Sequence, residues 1–195
     1  ILTKEKQEED ELGNTEMPGE LSELKASIEQ DWRLVDDGAT TSLHKKEHSH
    51  KVHLSFHCQD TVEEVVDEYG ESEAADEDDE EASAPVRFTI TISKAGKSLV
   101  FSGFSEYGQI KIEGISTTSV SPETVHEQQG TLAKVEYQGP DFVELADELQ
   151  EQLHIYLHEE CGVDEDVAAF IAMYSDYREE MCYVNWLKET QAIIS

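Results

Sequence analysis

The hydrophobic residues change period at Gly139-Pro140: several segments before this point follow a two-residue period, and the residues after it follow a helical period. The alternation is clearest in residues 52–58 and 88–92, where apolar side chains alternate with polar ones, as in strands with one apolar face. From Phe142 onward, apolar residues recur at intervals of three and four, which is typical of a helix. The change of period therefore predicts an α+β fold, in which the strands precede the C-terminal helices.

Short strands are predicted on either side of an Asp36-Asp37-Gly38 turn, the first beginning at Trp32 and the second around Leu43. Histidines occupy polar positions of the strand that follows. His53 and His57 would lie ~13 Å apart in that strand, too far to share one metal ion, so they are predicted to line its solvent face.

The clearest strand signals follow residue 86. Ala95-Gly96 predicts a tight hairpin after the strand at 88–92, and Gly103 predicts a bulge in the next strand. Ile110 and Ile112 indicate a further strand, which is followed by a polar loop at 116–130 and a last strand around Leu132, Val135 and Tyr137. Because sequential strands are joined by short turns, the sheet should be mainly antiparallel.

Helices are predicted at both ends of the chain. The apolar residues of 21–28 share one helical stripe, and Pro18-Gly19 is a start signal before it. Asp141 and Glu144 are spaced like a capping box for a second helix, and Gly162 stands where a cap is needed at its end.

The last helix is predicted to be long and to have a wide apolar face. Asp164 can cap its start, and it could run to about Ile193, which would make it ~40 Å long. So wide a face predicts a helix partner or a neighbouring subunit in addition to the sheet. The residues on this face are Val167, Phe170, Ile171, Tyr174, Met181, Val184 and Leu187.

Acidic residues are concentrated outside the segments predicted as strands. Residues 60–85 hold 13 acidic side chains and no lysine or arginine, and residues 141–195 hold 14 acidic and 2 basic ones, within a net charge of −31. A surface of one sign attracts cationic proteins and repels nucleic acid and anionic membranes. A mobile acidic loop is predicted at 59–85. The rival explanation for this loop is that its charge only keeps the protein soluble.

The length and cysteine content indicate a single domain over residues 1–195, with residues 1–18 frayed. Cys58, Cys161 and Cys182 follow no disulfide or zinc pattern and are expected to be free thiols. No apolar run is long enough to insert into a membrane. Direct nucleic-acid binding is not expected either, because the three arginines form no basic stripe.

One alternative to a binding protein is metal chemistry in the first of the two C-terminal helices. His154 and His158 are one helical turn apart, as two metal ligands could be, and Glu151 or Cys161 could contribute. A metal-binding protein or metal-dependent enzyme that uses these histidines and nearby carboxylates is therefore the second hypothesis. The first hypothesis is an acidic binding protein without enzymatic activity. It assigns no catalytic residue, metal or cofactor, because no GxSxG or GxGxxG signature occurs.

Several short motifs, taken in order, resemble a known family. Asp31-Trp32-Arg33-Leu34 precedes a Leu-x-x-Lys segment at 43–46 and a Val-x-Leu-x-Phe strand at 52–56. Near the C terminus, Gly162-Val163-Asp164 leads into a final helix that contains Tyr183-Val184-Asn185-Trp186-Leu187. Together with the acidic insertion and the closing helices, this order of parts resembles the mitochondrial glycoprotein family.

The resemblance implies a strongly twisted, seven-stranded antiparallel sheet flanked by one N-terminal and two C-terminal helices, assembled as a homotrimer. It also implies a mitochondrial matrix scaffold or chaperone-like adaptor that binds basic proteins such as RNA-binding proteins. Such an adaptor would support mitochondrial RNA processing, translation or oxidative phosphorylation. The predicted partner-binding acidic surface consists of Asp76, Glu77, Asp78, Asp79, Glu80, Glu81, Glu148, Glu151, Glu159 and Glu160.

Overall fold

The protein is described by a computed structural model over residues 16–46, 49–62, 84–106, 108–119 and 137–194. These residues form a six-stranded sheet in which the strands lie in chain order and every neighbouring pair is antiparallel. The strands are β1 Trp32–Asp37, β2 Thr40–Lys45, β3 Lys51–Thr61, β4 Val86–Lys94, β5 Lys97–Glu106 and β6 Gln109–Thr118. The helices are α1 Gly19–Asp31, α2 Asp147–Ile155, which continues as a π-turn over Tyr156–Glu160, and α3 Glu165–Ile194.

The predicted α+β class and the antiparallel meander are confirmed, and so are the local turn signals. Ala95 and Gly96 have φ values of 50° and 78°, which is the left-handed pair that a tight hairpin requires. The register of β5 against β6 shifts between Ser102 and Gly103, so the predicted bulge is present. The predicted seventh strand stays a prediction, because residues 132–136 lie outside the described ranges.

A row of apolar side chains crosses five strands and forms the core face of the sheet. Leu34, Leu43, Leu54, Ile90 and Phe101 stand opposite one another in register from β1 to β5. The last four are completely buried, and helix α3 lies across this face in contact with β3, β4, β5 and β6. The sheet therefore has one side built for the long helix.

On the opposite face of the sheet, the side chains next to this row show that the solvent-face prediction for His53 is wrong. His53 is only 6% exposed, and its ring stacks on that of His44 on β2 at a centroid distance of 4.5 Å. Ser55 and Thr91, also on this face, are buried too. The prediction that His53 lines the solvent face is wrong because β3 is a central strand whose polar side chains are covered by those of its neighbours. His57, nearer the strand end, is half-buried.

Both ends of the predicted acidic loop are paired to the sheet. β3 continues to Thr61, which stands opposite Val86, and the N–H of Val62 donates to the carbonyl of Pro85 at 2.8 Å. Residues 63–83, including the predicted acidic residues Asp76 to Glu81, lie outside the described ranges. Of the predicted frayed segment, residues 1–15 are also outside, and Met17 packs partly buried against the core.

The polar loop predicted to start at Ser116 begins later than expected. Ser116, Thr117 and Thr118 extend β6, because they stand opposite residues 98–100 of β5. Their hydroxyl side chains weaken the hydrophobic alternation on which the strand prediction depended. Residues 120–130 of the predicted loop lie outside the described part of the chain.

The start of the second helix differs from the prediction. Asp141 makes no side-chain capping bond, residues 142–144 form a single 3-10 turn, and α2 begins only at Asp147. The reason lies in the backbone: Asp141 forms a β-bridge with Gly114 of β6, and Leu145 has an extended conformation that interrupts the helical path. The capping box predicted at Asp141 and Glu144 is therefore wrong.

The other helix signals are confirmed. Helix α1 follows Pro18 and buries Leu21 and Ile28. Gly162 has a φ of 68°, which suits the end of a helix, and the carboxylate of Asp164 accepts the N–H of Val167 at 3.1 Å. Helix α3 contains 30 residues and is about 45 Å long.

A partly buried network joins the β1–β2 hairpin to α3. Tyr174 Oη and Thr41 Oγ1 each donate a hydrogen bond to the carboxylate of Asp36 at 2.8 Å. Arg178 Nε lies 3.8 Å from the same carboxylate, and Arg178 also donates to the carbonyl of Gly38. The network lets the hairpin present its turn to the middle of the long helix.

Alkaline pH should destabilise this core. Burial raises the pKa of the Cys58 and Cys161 thiols from 9.0 to about 11, and the pKa of Tyr174 is raised by burial and by Asp36. Above pH 9 the unfolded chain therefore binds fewer protons than the folded chain, so the free energy of unfolding should fall as pH rises towards 11. The expected loss is on the order of 1–3 kcal/mol per thiol.

Urea unfolding between pH 8 and pH 11 measures this loss. A C58A/C161A variant, compared with itself across the same pH range, should show a shallower decline than the parent chain. A decline of equal steepness in both proteins would mean that the thiols are not its source.

Candidate partner-binding surface

Four of the predicted surface residues lie on one exposed segment. Glu148 and Glu151 are on α2, Glu159 and Glu160 are on the π-turn that follows it, and all four are exposed. We call this segment, residues 147–160, the acidic segment. The structure thus places these four side chains on one continuous piece of helix.

The π-turn orients the end of the acidic segment. The N–H of Cys161 donates to the carbonyl of Tyr156 at 3.1 Å, which closes a turn one residue wider than an α-helical turn. Leu157 and Cys161 are buried, 2% and 0% exposed, while Glu159 and Glu160 between them face outward. The turn therefore holds the segment on the core while both carboxylates reach the surface.

The carboxylates of the acidic segment are not neutralised by nearby described residues. Within the ranges given above, no lysine or arginine lies at ion-pair distance from Glu148, Glu151, Glu159 or Glu160. Two basic residues of the sheet pair with other carboxylates: Arg87 Nη1 lies 2.6 Å from a carboxylate oxygen of Glu113, and Lys45 Nζ lies 3.3 Å from that of Asp31. The negative charge of this segment is thus available to an external cation.

Helix electrostatics distinguishes the two ends of the acidic segment. Asp147 and Glu148 are in the first turn of α2, where the helix dipole favours negative charge. Glu159 and Glu160 are at the opposite end, where the dipole disfavours negative charge. The negative charge of Glu160 is also one cause of the raised pKa of Cys161, after burial. The helix dipole therefore stabilises the negative charge of the first pair and disfavours that of the second pair.

The histidines of the alternative hypothesis have separate neighbours. The ring of His154 meets the edge of Phe142 at 5.3 Å, and burial, followed by the charge of Lys111, lowers the pKa of His154. His158 Nε2 lies 3.5 Å from a carboxylate oxygen of Glu165. In the part of the chain that the structure covers, no group of three or more His, Cys, Asp or Glu residues is arranged to hold a metal ion.

A shallow groove of about 520 Å³ runs along β6 on the polar face of the sheet. Its floor consists mainly of hydroxyl side chains and backbone, and its two carboxylates are Glu113, which pairs with Arg87, and Asp141. Gly139 is required at its rim, because a Cβ there would collide with the carbonyl oxygen of Ile115. This groove was not indicated by the sequence, since it depends on how residues 138–141 return to β6.

The apolar face predicted for α3 is largely buried. Val167, Phe170, Ile171, Tyr174, Val184 and Leu187 are buried and Met181 is half-buried. The C-terminal half of α3 nevertheless exposes Trp186 at 55%, stacked on Tyr183 at 6.1 Å, and exposes Ile193 and Ile194. Among the helices that the structure describes, none is long and apolar enough to cross a membrane.

The fold is similar to two solved structures of low sequence identity. The p22 protein of Trypanosoma brucei superposes with a TM-score of 0.70 at 20% identity, covering 100% of this chain and 94% of that one. A Leishmania major protein described as a homologue of human p32 superposes with a TM-score of 0.61 at 18% identity, covering 90% of this chain and 97% of that one. At these identities the likeness establishes the fold alone.

Sequence comparison establishes the family. The mitochondrial acidic protein mam33 of Schizosaccharomyces pombe is 34% identical over 116 residues, which are 54% of this chain and 40% of that protein. This chain thus matches less than half the length of that relative. The family and the relative's name point to a mitochondrial acidic protein. Because the model of the mitochondrial glycoprotein family (MAM33) matches residues 2–194, nearly the whole sequence, the chain belongs to the mitochondrial glycoprotein family.

Proposed function

We propose that this chain is an acidic scaffold or chaperone-like adaptor of the mitochondrial matrix that binds basic proteins, including RNA-binding proteins. Through them it would support mitochondrial RNA processing, translation or oxidative phosphorylation. The observation that carries the proposal is the acidic segment, whose carboxylates are exposed and not neutralised by the described part of a chain of net charge −31. The function is binding rather than catalysis, and any effect on RNA would pass through the bound protein.

Electrostatics would supply the recognition in this proposal. Glu148, Glu151, Glu159 and Glu160 lie within a few turns of one helix, so a basic partner would meet several carboxylates together. Fields of one sign raise the association rate of oppositely charged partners and exclude others. Exposed charges are screened beyond about 8 Å at physiological ionic strength, so the attraction should depend strongly on salt.

A capture experiment tests this function. The chain is immobilised, incubated with mitochondrial matrix extract at low salt, washed, and the bound proteins are quantified by mass spectrometry. An unrelated protein of equal negative charge serves as the matched control. We expect basic proteins, among them RNA-binding proteins, to be enriched over that control. Equal recovery of basic proteins on the chain and on the control protein would mean that the negative charge has only a solubilising role.

We also propose that the chain assembles as a homotrimer. In support, Trp186, Ile193 and Ile194 remain exposed on α3, and large exposed apolar side chains often mark contacts with a second protein. Light scattering should give a mass near three times the chain mass of 22.0 kDa. A mass equal to one chain would contradict the proposal.

A further inference from the structure

Two of the three free cysteines meet where α3 crosses the end of β3. The N–H of Cys58 donates to the carbonyl of Ala39 at 3.0 Å, and the carbonyl of Cys58 accepts a hydrogen bond from Ser175 Oγ of α3 at 3.3 Å. Cys182 lies two helical turns beyond Ser175 and directs its Sγ at the carbonyl of Gly38, 3.8 Å away. The side chain of Cys58 interacts with that of Cys182 at this junction.

We propose that Cys58 and Cys182 form a reversible redox site, in which a peroxide converts the two thiols into a disulfide within one chain. A disulfide needs Cα atoms about 4.4–6.8 Å apart and side chains that point at each other. Cys58 and Cys182 are both held at the adjacent residues Gly38 and Ala39, so only a small movement is needed to reach that geometry. The third cysteine, Cys161, is completely buried and interacts with Tyr156 instead.

The surroundings of the pair assign a different role to each sulfur. Cys182 lines an open groove of about 360 Å³ beside Arg178 and Trp186, so a small oxidant can reach it. Cys58 lies behind it and is only 5% exposed. Burial, and secondly the charge of Cys182, raises the pKa of Cys58 to about 11, so Cys58 is protonated at neutral pH and is the less reactive thiol towards peroxide.

The reaction balances with hydrogen peroxide as the oxidant. The Cys182 thiol loses its proton and its sulfur attacks one peroxide oxygen. The O–O bond breaks, the leaving hydroxide takes up that proton to become one water, and a sulfenic acid remains on Cys182. The sulfur of Cys58 then attacks the sulfenic sulfur, which forms the S–S bond and releases its oxygen as a second water. Two thiols are oxidised by two electrons in all, and one peroxide is reduced to two waters.

The link would join two elements that are far apart in sequence. It would fasten the C-terminal half of α3, which carries Trp186, to β3 and to the β1–β2 turn at Gly38. The oxidised chain should therefore melt at a higher temperature than the reduced one, and a thiol reductant should reverse the shift.

Peptide mapping without reduction tests the proposal. The folded chain is treated with hydrogen peroxide, remaining thiols are alkylated, and digests are searched for a Cys58–Cys182 linked peptide. We expect the link in the parent chain and in the matched control C161S, and its loss in C182S. In C58S, dimedone should trap more sulfenic acid on Cys182 than in the parent, because the sulfur that would consume it is missing.

Circular dichroism shows whether each variant is folded. Cys182 is only half-buried and lines an open groove, so C182S is informative even if C58S unfolds. Peroxide treatment in urea should abolish the preference for this pair. Conversion of Cys182 to sulfinic acid while Cys58 stays free in the folded parent chain would overturn the proposal. A link to Cys161, or one between two chains, would overturn it equally.

Discussion

Reversing the charge of Glu148, Glu151, Glu159 and Glu160 to lysine should weaken the binding of a captured basic protein by roughly 30-fold to 1,000-fold at low salt. Each exposed charge pair is worth about 0.5–1 kcal/mol, and four sites together approach 2–4 kcal/mol. Because these side chains are exposed and make no ion pair within the described ranges, the variant should keep its fold. Calorimetric titration of the captured partner measures the change in affinity.

A matched variant separates the acidic segment from overall charge. Glu16, Glu20, Glu23 and Glu29 lie on and just before α1, and all four are exposed. Replacing them with lysine changes the net charge by the same amount as the first variant. We expect a much smaller loss of affinity here. Equal losses in both variants would mean that net charge, rather than the acidic segment, governs binding.

Replacing Phe170 with alanine should lower the free energy of unfolding by about 3–5 kcal/mol. Phe170 is completely buried, stacks on Tyr174 at 4.7 Å and belongs to the core between α3 and the sheet. Its removal deletes buried apolar surface and leaves a cavity that the strands can only partly close. Chemical denaturation measures the loss directly.

Trp186 provides the matched aromatic position on the same helix. It is 55% exposed, so its replacement by alanine should cost a single chain little stability. If the chain is a trimer built on this part of α3, the same variant should reduce the mass measured by light scattering. An equally large loss of chain stability in W186A would contradict the placement of Phe170 in the core and of Trp186 on the surface.

The sheet could be predicted from sequence because its signals are local. The alternation at 88–92, the Ala95-Gly96 hairpin and the Gly103 bulge each depend on residues within a few positions of one another. The same holds for Gly162 and Asp164, which end one helix and begin the next. Such features require no knowledge of the tertiary contacts.

Features that depend on tertiary contacts could not be predicted. His53 occupies a polar position of a strand, and only the stacked ring of His44 reveals that it is buried. Asp141 fits a capping box, but the edge of β6 engages its backbone instead. Hydrogen bonds between residues far apart in the sequence, such as that from Tyr174 to Asp36, leave no periodic pattern or characteristic spacing from which they could be predicted.

The candidate site was predictable as a surface but not in its geometry. The acid count identified the helical C-terminal part, and the structure places Glu148, Glu151, Glu159 and Glu160 on one exposed segment there. The π-turn that turns Glu159 and Glu160 outward has no sequence signature. The turn is defined by the hydrogen bond from the N–H of Cys161 to the carbonyl of Tyr156, and the buried Leu157 and Cys161 hold it on the core.

The most direct test of the proposed function is the affinity for a captured basic partner across a salt series. Between roughly 50 mM and 500 mM salt the Debye length falls from about 14 Å to about 4 Å, which removes most attraction between exposed charges. We predict that the dissociation constant rises steeply over this range, and that the variant lacking the four carboxylates of the acidic segment shows a flatter dependence. A dissociation constant that stays the same across the series would contradict electrostatic recognition by this surface.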